Sequence, residues 1–371
     1  MRATLFAPYI YVFMTRVRGL TDQEYGLLQA VYYVCGVLLE VPSGAFADRV
    51  GRRWALLVGG AAACAGCVTM ALARTFWPFA LGELLFAAST AFVSGADSAL
   101  LFDSLALEKR ESEYARAEGA GMAAWLGSTA VGLPLADLYL VRGGDPVLTY
   151  WVTAGTSLVA CGLALAMREP PRVKSASTFE ITREAFRDLA REPGLLRIIV
   201  YSVGVFLLLR AAIVSFFNPA LAACGVAVDD FGKVLAAVNV VGAAAAYYAH
   251  RTLARFGERA TLLAMPLLLL AMYAALLPLR MPAAALLFTV QGAVFGAHPL
   301  VVRSLLNRRV RSSHRRATVL SLESLACRLA FAAVAVYAGW ALHRLSLSAA
   351  LATTAAICCI PWACLPFLRR A

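Results

Sequence analysis

Charge is what this 371-residue chain lacks: Asp, Glu, Lys and Arg make up 15% of its positions. Hydrophobic residues make up 61%, and mean hydropathy is +0.72. A soluble domain uses about a quarter charged residues, so the composition excludes a water-soluble globule and points to a lipid bilayer. The net charge of +12 does not indicate nucleic acid, because a basic nucleic-acid surface needs a solvated face to sit on. Site chemistry is also sparse. The four histidines are scattered without ligand spacing, and the nine cysteines lie in or beside apolar runs, where Cys64-x-x-Cys67 reads as packing. No G-x-x-x-x-G-K phosphate cradle occurs, which argues against ATP-driven work. No nucleophile and base cluster as a membrane-embedded hydrolase or transferase requires, so an enzyme is not expected, and neither is a cofactor or metal.

What the chain has instead is a series of apolar runs near the ~20 residues needed to cross a bilayer. They fall at about 3–17, 24–46, 54–73, 77–102, 118–141, 147–167, 196–218, 231–250, 260–279, 282–303, 318–341 and 347–367. A spanning segment must satisfy its own backbone, and barrel strands would be short and alternating. The predicted fold is therefore all-α integral membrane with twelve transmembrane helices. The first run is short, meets Arg16 and Arg18, and is expected to serve as its own insertion signal. The loops after the even-numbered spans, with the adjoining span ends and the C-terminus, carry 24 Lys or Arg. The opposite loops carry 6, namely Arg16, Arg18, Arg74, Arg142, Arg280 and Arg344. The positive-inside rule then places both termini in the cytoplasm and the chain in the inner, cytoplasmic membrane.

The longest polar interval, from Arg168 to about Pro193, divides six spans from six. The expected organisation is a bundle over 1–167, a cytoplasmic linker over 168–195 and a bundle over 196–371. Phe186 and Leu189 among Arg183, Arg187 and Arg191 predict a short amphipathic helix in the linker, with a flexible point at Ser175 to Thr178. The halves echo each other. Arg49-Val-Gly51-Arg52-Arg53 returns as Arg255-Phe-Gly257-Glu258-Arg259 at an offset of 206, and Ser104-Leu105 returns as Ser304-Leu305 at an offset of 200. Such twofold repetition is the mark of transporters built from two pseudo-symmetric six-helix bundles.

Between the second and third runs stands Gly44-Ala-Phe-Ala-Asp48-Arg49-Val-Gly51-Arg52-Arg53, preceded by Glu40-Val-Pro42-Ser43. Gly44 and Gly51 would permit close helix approach and a tight turn, while Arg49, Arg52 and Arg53 would hold the inner boundary and pair with acids such as Asp103. The segment resembles the signature loop of the major facilitator superfamily, G-x-x-x-D-R-x-G-R-[RK], at its place between the second and third helices. The lead-in, the stretch from Ser94-Gly95-Ala96 to Asp103-Ser104-Leu105, and Arg316-Ala-Thr-Val-Leu-Ser321 are similar to drug-efflux-like bacterial members, a weaker match. The resemblance implies that Asp48, Arg49 and Asp103 form a cytoplasmic gate latch, Asp48 lying near the start of the eleventh helix. The bland alternative is that these charges only fix topology. Ala254 stands where the second half would carry its aspartate, so a latch there is expected to be weaker.

Ionisable groups inside spans are costly and are therefore candidates to line a substrate and proton cavity. On the fourth span Glu83, Thr90, Ser94 and Asp97 recur at helical spacing, with Glu83 and Asp97 about 40° apart around the axis. Arg210 lies in the seventh span, Asn239 in the eighth, Gln291 and His298 on one face of the tenth, and Glu323 and Arg328 in the eleventh. Tyr9, Phe13 and Arg16 make a stripe on the first. Each has a structural alternative: Glu83 at the outer interface, His298 and Glu323 at the inner one, Asn239 and Gln291 as interhelical hydrogen-bond partners.

The expected function is secondary active transport of a small organic solute by a monomeric chain, coupled to protons, with Asp97 as the first candidate carrier and Glu83 or Glu323 next. Two departures from the family pattern bear on coupling and direction. The fourth span lacks the arginine that the family's proton antiporters carry there, and Gly127-Ser-Thr-Ala-Val-Gly132-Leu-Pro134-Leu-Ala-Asp137 matches only part of the antiporter pattern G-x-x-x-G-P-x-x-G-G. Export of an amphiphilic, drug-like compound is the expectation. Uptake of a small organic anion or nutrient is the alternative that Arg210 and Arg328 leave open, and a non-transporting receptor is a further one.

Overall fold

The computed structural model describes residues 9–94, 96–110, 113–141, 144–169, 193–278, 281–309 and 313–363, and their regular structure is entirely helical. Helix α1 (Ile10–Val12) passes directly into a π-helical segment, Phe13–Val17. Then come α2 (Asp22–Val50), α3 (Arg52–Leu72), α4 (Phe76–Val93), α5 (Ala96–Leu107), α6 (Tyr114–Val141) and α7 (Val147–Ala166). Beyond the linker, α8 (Pro193–Arg210) continues as a π-helix, Ala211–Phe216, and then as α9 (Phe217–Ala223). The remainder is α10 (Phe231–Leu276), two helical stretches joined across a bend at Gly257, then α11 (Phe288–Arg309), α12 (Ser313–Arg344), α13 (Leu347–Cys358) and α14 (Ile360–Ala363). Among the described residues, nine helical stretches are long and apolar enough to cross a membrane. Helices also stand at the other three expected positions, as α1, α6 and α13 with α14. Most of the linker, including the predicted amphipathic helix, lies outside the described residues.

Two compact units emerge: Met1–Leu20 with Leu28–Ala176, and Thr21–Leu27 with Ser177–Ala371. In the first, α3 packs on α4, α5 and α7. Phe13 is fully buried there, with Phe79 at 6.1 Å and Tyr150 at 5.0 Å between ring centroids. In the second, α8 packs on α11 and α12 around Leu195, Ile199, Val302, Leu306 and Val319. Its tightest seam joins α10 and α11. A Cβ on Gly296 would stand 2.0 Å from the Gly242 carbonyl oxygen, and one on Gly292 would stand 2.3 Å from that of Val238. With no water to drive helices together in a bilayer, such small-residue contacts are how they associate. The opening turn of α2 belongs to this second unit, where Tyr25 donates to the Val214 carbonyl at 2.9 Å. Leu38, Leu72 and Trp77 are 66%, 66% and 78% exposed on their helices, as lipid-facing residues must be.

The fourth span departs from expectation. It was predicted as one helix carrying Glu83 and Asp97 on a shared stripe, but α4 stops at Val93 and α5 begins at Ala96. Ser94 sits at φ −56°, ψ 116°, outside helical geometry, although its N–H still reaches the Thr90 carbonyl at 2.9 Å. Ser-Gly is a poor helix-forming pair, and the axis breaks there. The 40° relation therefore does not survive, and Asp97 lies half-buried in the first turn of a separate helix.

Candidate functional site

The charged connection after α2 is shorter than its sequence suggests. Gly44 to Val50 continue the helix, and the chain turns at the single residue Gly51, with φ 128° and ψ 152°, a region only glycine occupies comfortably. Gly44 does not have the close approach expected of it. A Cβ there would meet nothing within 4 Å, because the residue lies on an exposed part of α2.

The turn leaves the first N–H groups of α3 without helical partners. Glu169, three residues beyond α7, satisfies two of them: its Oε1 accepts from the Arg52 N–H and its Oε2 from the Arg53 N–H, each at 2.7 Å. A carboxylate at a helix N-terminus also meets the positive end of the macrodipole. With its backbone fixed in this way, Arg52 donates to the Ala99 carbonyl at 2.7 Å and forms an ion pair with Asp103 on α5. Arg53 lies over the Trp54 ring at 5.6 Å, while Asp48 and Arg49 are exposed. Asp103 is thus paired with Arg52 and not with Arg49. Glu169 was missed by sequence reasoning; its one signal is being an acid at the edge of the basic run Arg168 to Arg172.

Two buried polar pairs lie deeper in the first unit. Glu83 is 3% exposed and accepts from Gln29 Nε2 at 3.4 Å. Asp137 is fully buried and accepts from the Tyr9 hydroxyl. Asp137, Gln29 and Ser202 (below) were not among the predicted site residues, although an acid inside an apolar run such as Asp137 was a visible signal. The stripe of Tyr9, Phe13 and Arg16 is split: the first two are 1% and 0% exposed, whereas Arg16, one turn on in the π-helical segment, is exposed.

The second unit brings other candidates together. Ser202 on α8 is fully buried; its Oγ lies 3.2 Å from His298 Nε2 on α11 and donates to Glu323 Oε1 on α12. Cys327 Sγ, a turn beyond Glu323, donates to the same carboxylate oxygen at 3.5 Å. About two turns along α8 from Ser202, Arg210 sits between aromatic faces, 5.4 Å from the Phe206 centroid and 5.6 Å from that of Phe295. Its Nε is buried with no hydrogen-bond partner. Gln291 stands one turn before Phe295, 3% exposed, with Oε1 unpartnered. Asn218 is 4% exposed with Oδ1 unpartnered, and follows Phe217, whose ring packs 5.1 Å from Phe288 on α11. Three orphaned buried polar atoms therefore flank one seam, between the α8–α9 stretch and α11, beside the π-helical turn that follows Arg210. Asn239 and Arg328 are half-buried, Arg328 directly after Cys327.

A long helical chain in two compact units, with polar groups held inside its apolar helices, defines a multi-pass membrane protein. The family profile described as Major Facilitator Superfamily matches residues 1–334, and the chain belongs to that superfamily. It is 28% identical over 199 residues to the "Inner membrane transport protein YajR" of Escherichia coli strain K12, covering 52% of this chain and 41% of that protein. The chain thus matches less than half the length of this curated relative. Solved structures share the fold. Nucleoside transporter NupG, in a mutant form, superposes with TM-score 0.80 at 12% identity, over 98% of this chain and 94% of that one. A bacterial homolog of the human lysosomal transporter Spinster, inward-facing and unoccupied, gives 0.71 at 16% identity over 99% and 94%. The D-xylose-proton symporter gives 0.69 at 12% identity over 97% and 93%.

Proposed function

We propose that this transporter moves a small organic solute that carries a carboxylate or carbonyl and at least one N–H or O–H donor on an apolar or aromatic body, coupled to protons, by alternating access. The supporting observation is the trio Arg210 Nε, Gln291 Oε1 and Asn218 Oδ1 in the second unit. Native proteins leave few buried polar atoms unpaired, and each costs about 1–3 kcal/mol. A solute that accepts from Arg210 and donates to the two amides recovers that cost, and Phe206 and Phe295 supply apolar walls. The nucleoside transporter and the D-xylose-proton symporter that share the fold are consistent with polar recognition and with proton coupling. Export is the proposed direction, from the partial antiporter pattern at Gly127 to Asp137, with uptake of an organic anion as the competing one. The inner membrane and cytoplasmic termini follow from the arginine distribution. The Gly51 turn, with Asp48, Arg49, Arg52, Arg53 and Asp103, then braces the cytoplasmic side.

Proteoliposomes tested with labelled organic anions, nucleosides, sugars and amphiphilic cations, under pH gradients of either sign, decide this. The expected result is pH-dependent flux of an anionic or carbonyl-bearing compound that falls at least about tenfold in Arg210→Ala, the loss of about 1.4 kcal/mol of binding. Binding without flux, or equal flux in the variant, refutes the reading.

A further inference from the structure

We infer that the coupling proton is held in the second unit by the linked trio His298, Ser202 and Glu323, in place of Asp97; the inference rests on the transport reading above. The trio joins three helices, α11, α8 and α12, through one serine hydroxyl. A hydroxyl has one proton to give. Because Ser202 gives it to Glu323, the imidazole must be the donor at the other side, which fixes the proton of His298 on Nε2. The result is a directed chain from Nε2–H to Oγ–H to the carboxylate.

That chain is a relay for one proton. Starting from imidazolium and carboxylate, the Nε2–H bond breaks as a new Ser202 O–H bond forms, while the original Ser202 O–H bond breaks and its proton bonds to Glu323 Oε1. The products are neutral imidazole, the unchanged serine and a neutral carboxylic acid. Net charge and proton count are conserved across the step. Losing the extra proton to water from either end leaves a neutral imidazole and a carboxylate, so the trio alternates between two states that differ by one H⁺.

The surroundings suit this role. His298 lies eleven residues before the end of α11 and Glu323 ten residues after the start of α12, each about 16 Å along its helix from the basic connection between the two. Other titratable neighbours are few. On α12 they are Cys327, which donates to Glu323, and Arg328. On α8 they are Tyr201, whose hydroxyl is committed to the Leu262 carbonyl at 2.7 Å, and Arg197 further along. From α10 the level is spanned by the apolar run after Leu262 up to Tyr273, whose hydroxyl goes to the Leu208 carbonyl at 3.0 Å. The α13 and α14 side brings Trp362, bonded to the Tyr201 carbonyl at 3.1 Å, with Cys358 and Cys359.

The test needs no substrate. Wild-type protein labelled with ¹⁵N-histidine, in lipid nanodiscs, is titrated from about pH 5 to 9, the range in which imidazole changes charge. Nitrogen shifts report the His298 tautomer, assigned by loss of the signal in His298→Gln, and infrared difference spectra report carboxylic acid formation. The expected result is an Nε2–H tautomer at high pH and one cooperative change shared by the imidazole signal and a carboxyl band that is absent in Glu323→Gln. In Ser202→Ala the two changes separate by at least about one pH unit, and Ser202→Thr restores their coincidence. An Nδ1–H tautomer in the wild type, or a carboxyl band unaffected by Glu323→Gln but lost in Asp97→Asn, overturns the proposal. The wild-type spectra decide even if a variant fails to fold. Failure of the transport reading would appear separately, as absent flux in proteoliposomes with these titrations intact.

Discussion

Gly51 and Gly257 occupy corresponding places in the two halves and share a backbone but not a setting. Both have positive φ, 128° and 77°, with ψ of 152° and 168°. At Gly51 the turn is enclosed: a Cβ would come within 2.9 Å of the Glu169 carboxylate, whose oxygens bind the Arg52 and Arg53 N–H groups, and Arg52 reaches on to Asp103. At Gly257 a Cβ would meet nothing within 4 Å, and Glu258 stands where the first half has Arg52. The repeat therefore preserves the bend, which a single glycine supplies, and among the described residues the carboxylate that caps the following helix is seen at Gly51.

The largest expected effect comes from Gly51→Ala compared with Gly257→Ala. Both incur the strain of a glycine-only conformation, about 1–3 kcal/mol. Gly51→Ala also displaces Glu169, adding about 1–2 kcal/mol. Thermal unfolding in detergent should show the larger loss for Gly51→Ala; equal losses would mean that the brace contributes nothing. Next in size, Glu169→Ala should cost about 2 kcal/mol, since it removes two charge-assisted hydrogen bonds at a helix N-terminus. Glu169→Gln should recover about half, because an amide keeps one acceptor oxygen.

Asp103→Asn should cost less than about 1 kcal/mol of stability, because both partners of its ion pair are roughly a third exposed, at 27% and 35%, and water screens them. If the turn acts as a latch, the same variant should change transport rate more than stability, which flux measured beside the melting temperature would separate.

The smallest effect is pH-linked and lies in the connection after α5. Arg110, hydrogen-bonded to Glu113, holds that carboxyl below its ordinary value, while the guanidinium itself is raised. A carboxylate whose folded value is depressed stabilises the fold above its unfolded value, about pH 4, and that contribution disappears as pH falls through the folded value. Glu113→Gln should therefore lower the melting temperature slightly at neutral pH and leave it unchanged only once pH is below the depressed folded value of Glu113.

Much of the architecture was legible because a bilayer imposes length and polarity directly on sequence. Helices stand where the apolar runs predicted them, and the offset of 206 marked two glycines that share a backbone geometry. The sites were less legible. The break at Ser94 separated Asp97 from Glu83, since a stripe drawn at 100° per residue assumes an uninterrupted axis. Ser202 carried no signal of its own, and Glu169 only that of an acid at the edge of a basic run. A serine in an apolar run is unremarkable until His298 and Glu323 arrive from two other helices, and Glu169 gains its role from the N-terminus of α3.

Composition and spacing alone determined that the chain is a helical membrane protein, where its spans fall, and which glycine-centred turn repeats, because hydrophobic length and local backbone preference act within a few residues. Tertiary structure decided which acid binds which base, which buried amides lack partners and which polar groups share a hydrogen bond. Those outcomes depend on side chains 50 to 130 residues apart meeting within about 3 Å, as Arg52 meets Asp103 and Tyr9 meets Asp137. No local rule in the sequence encodes such meetings.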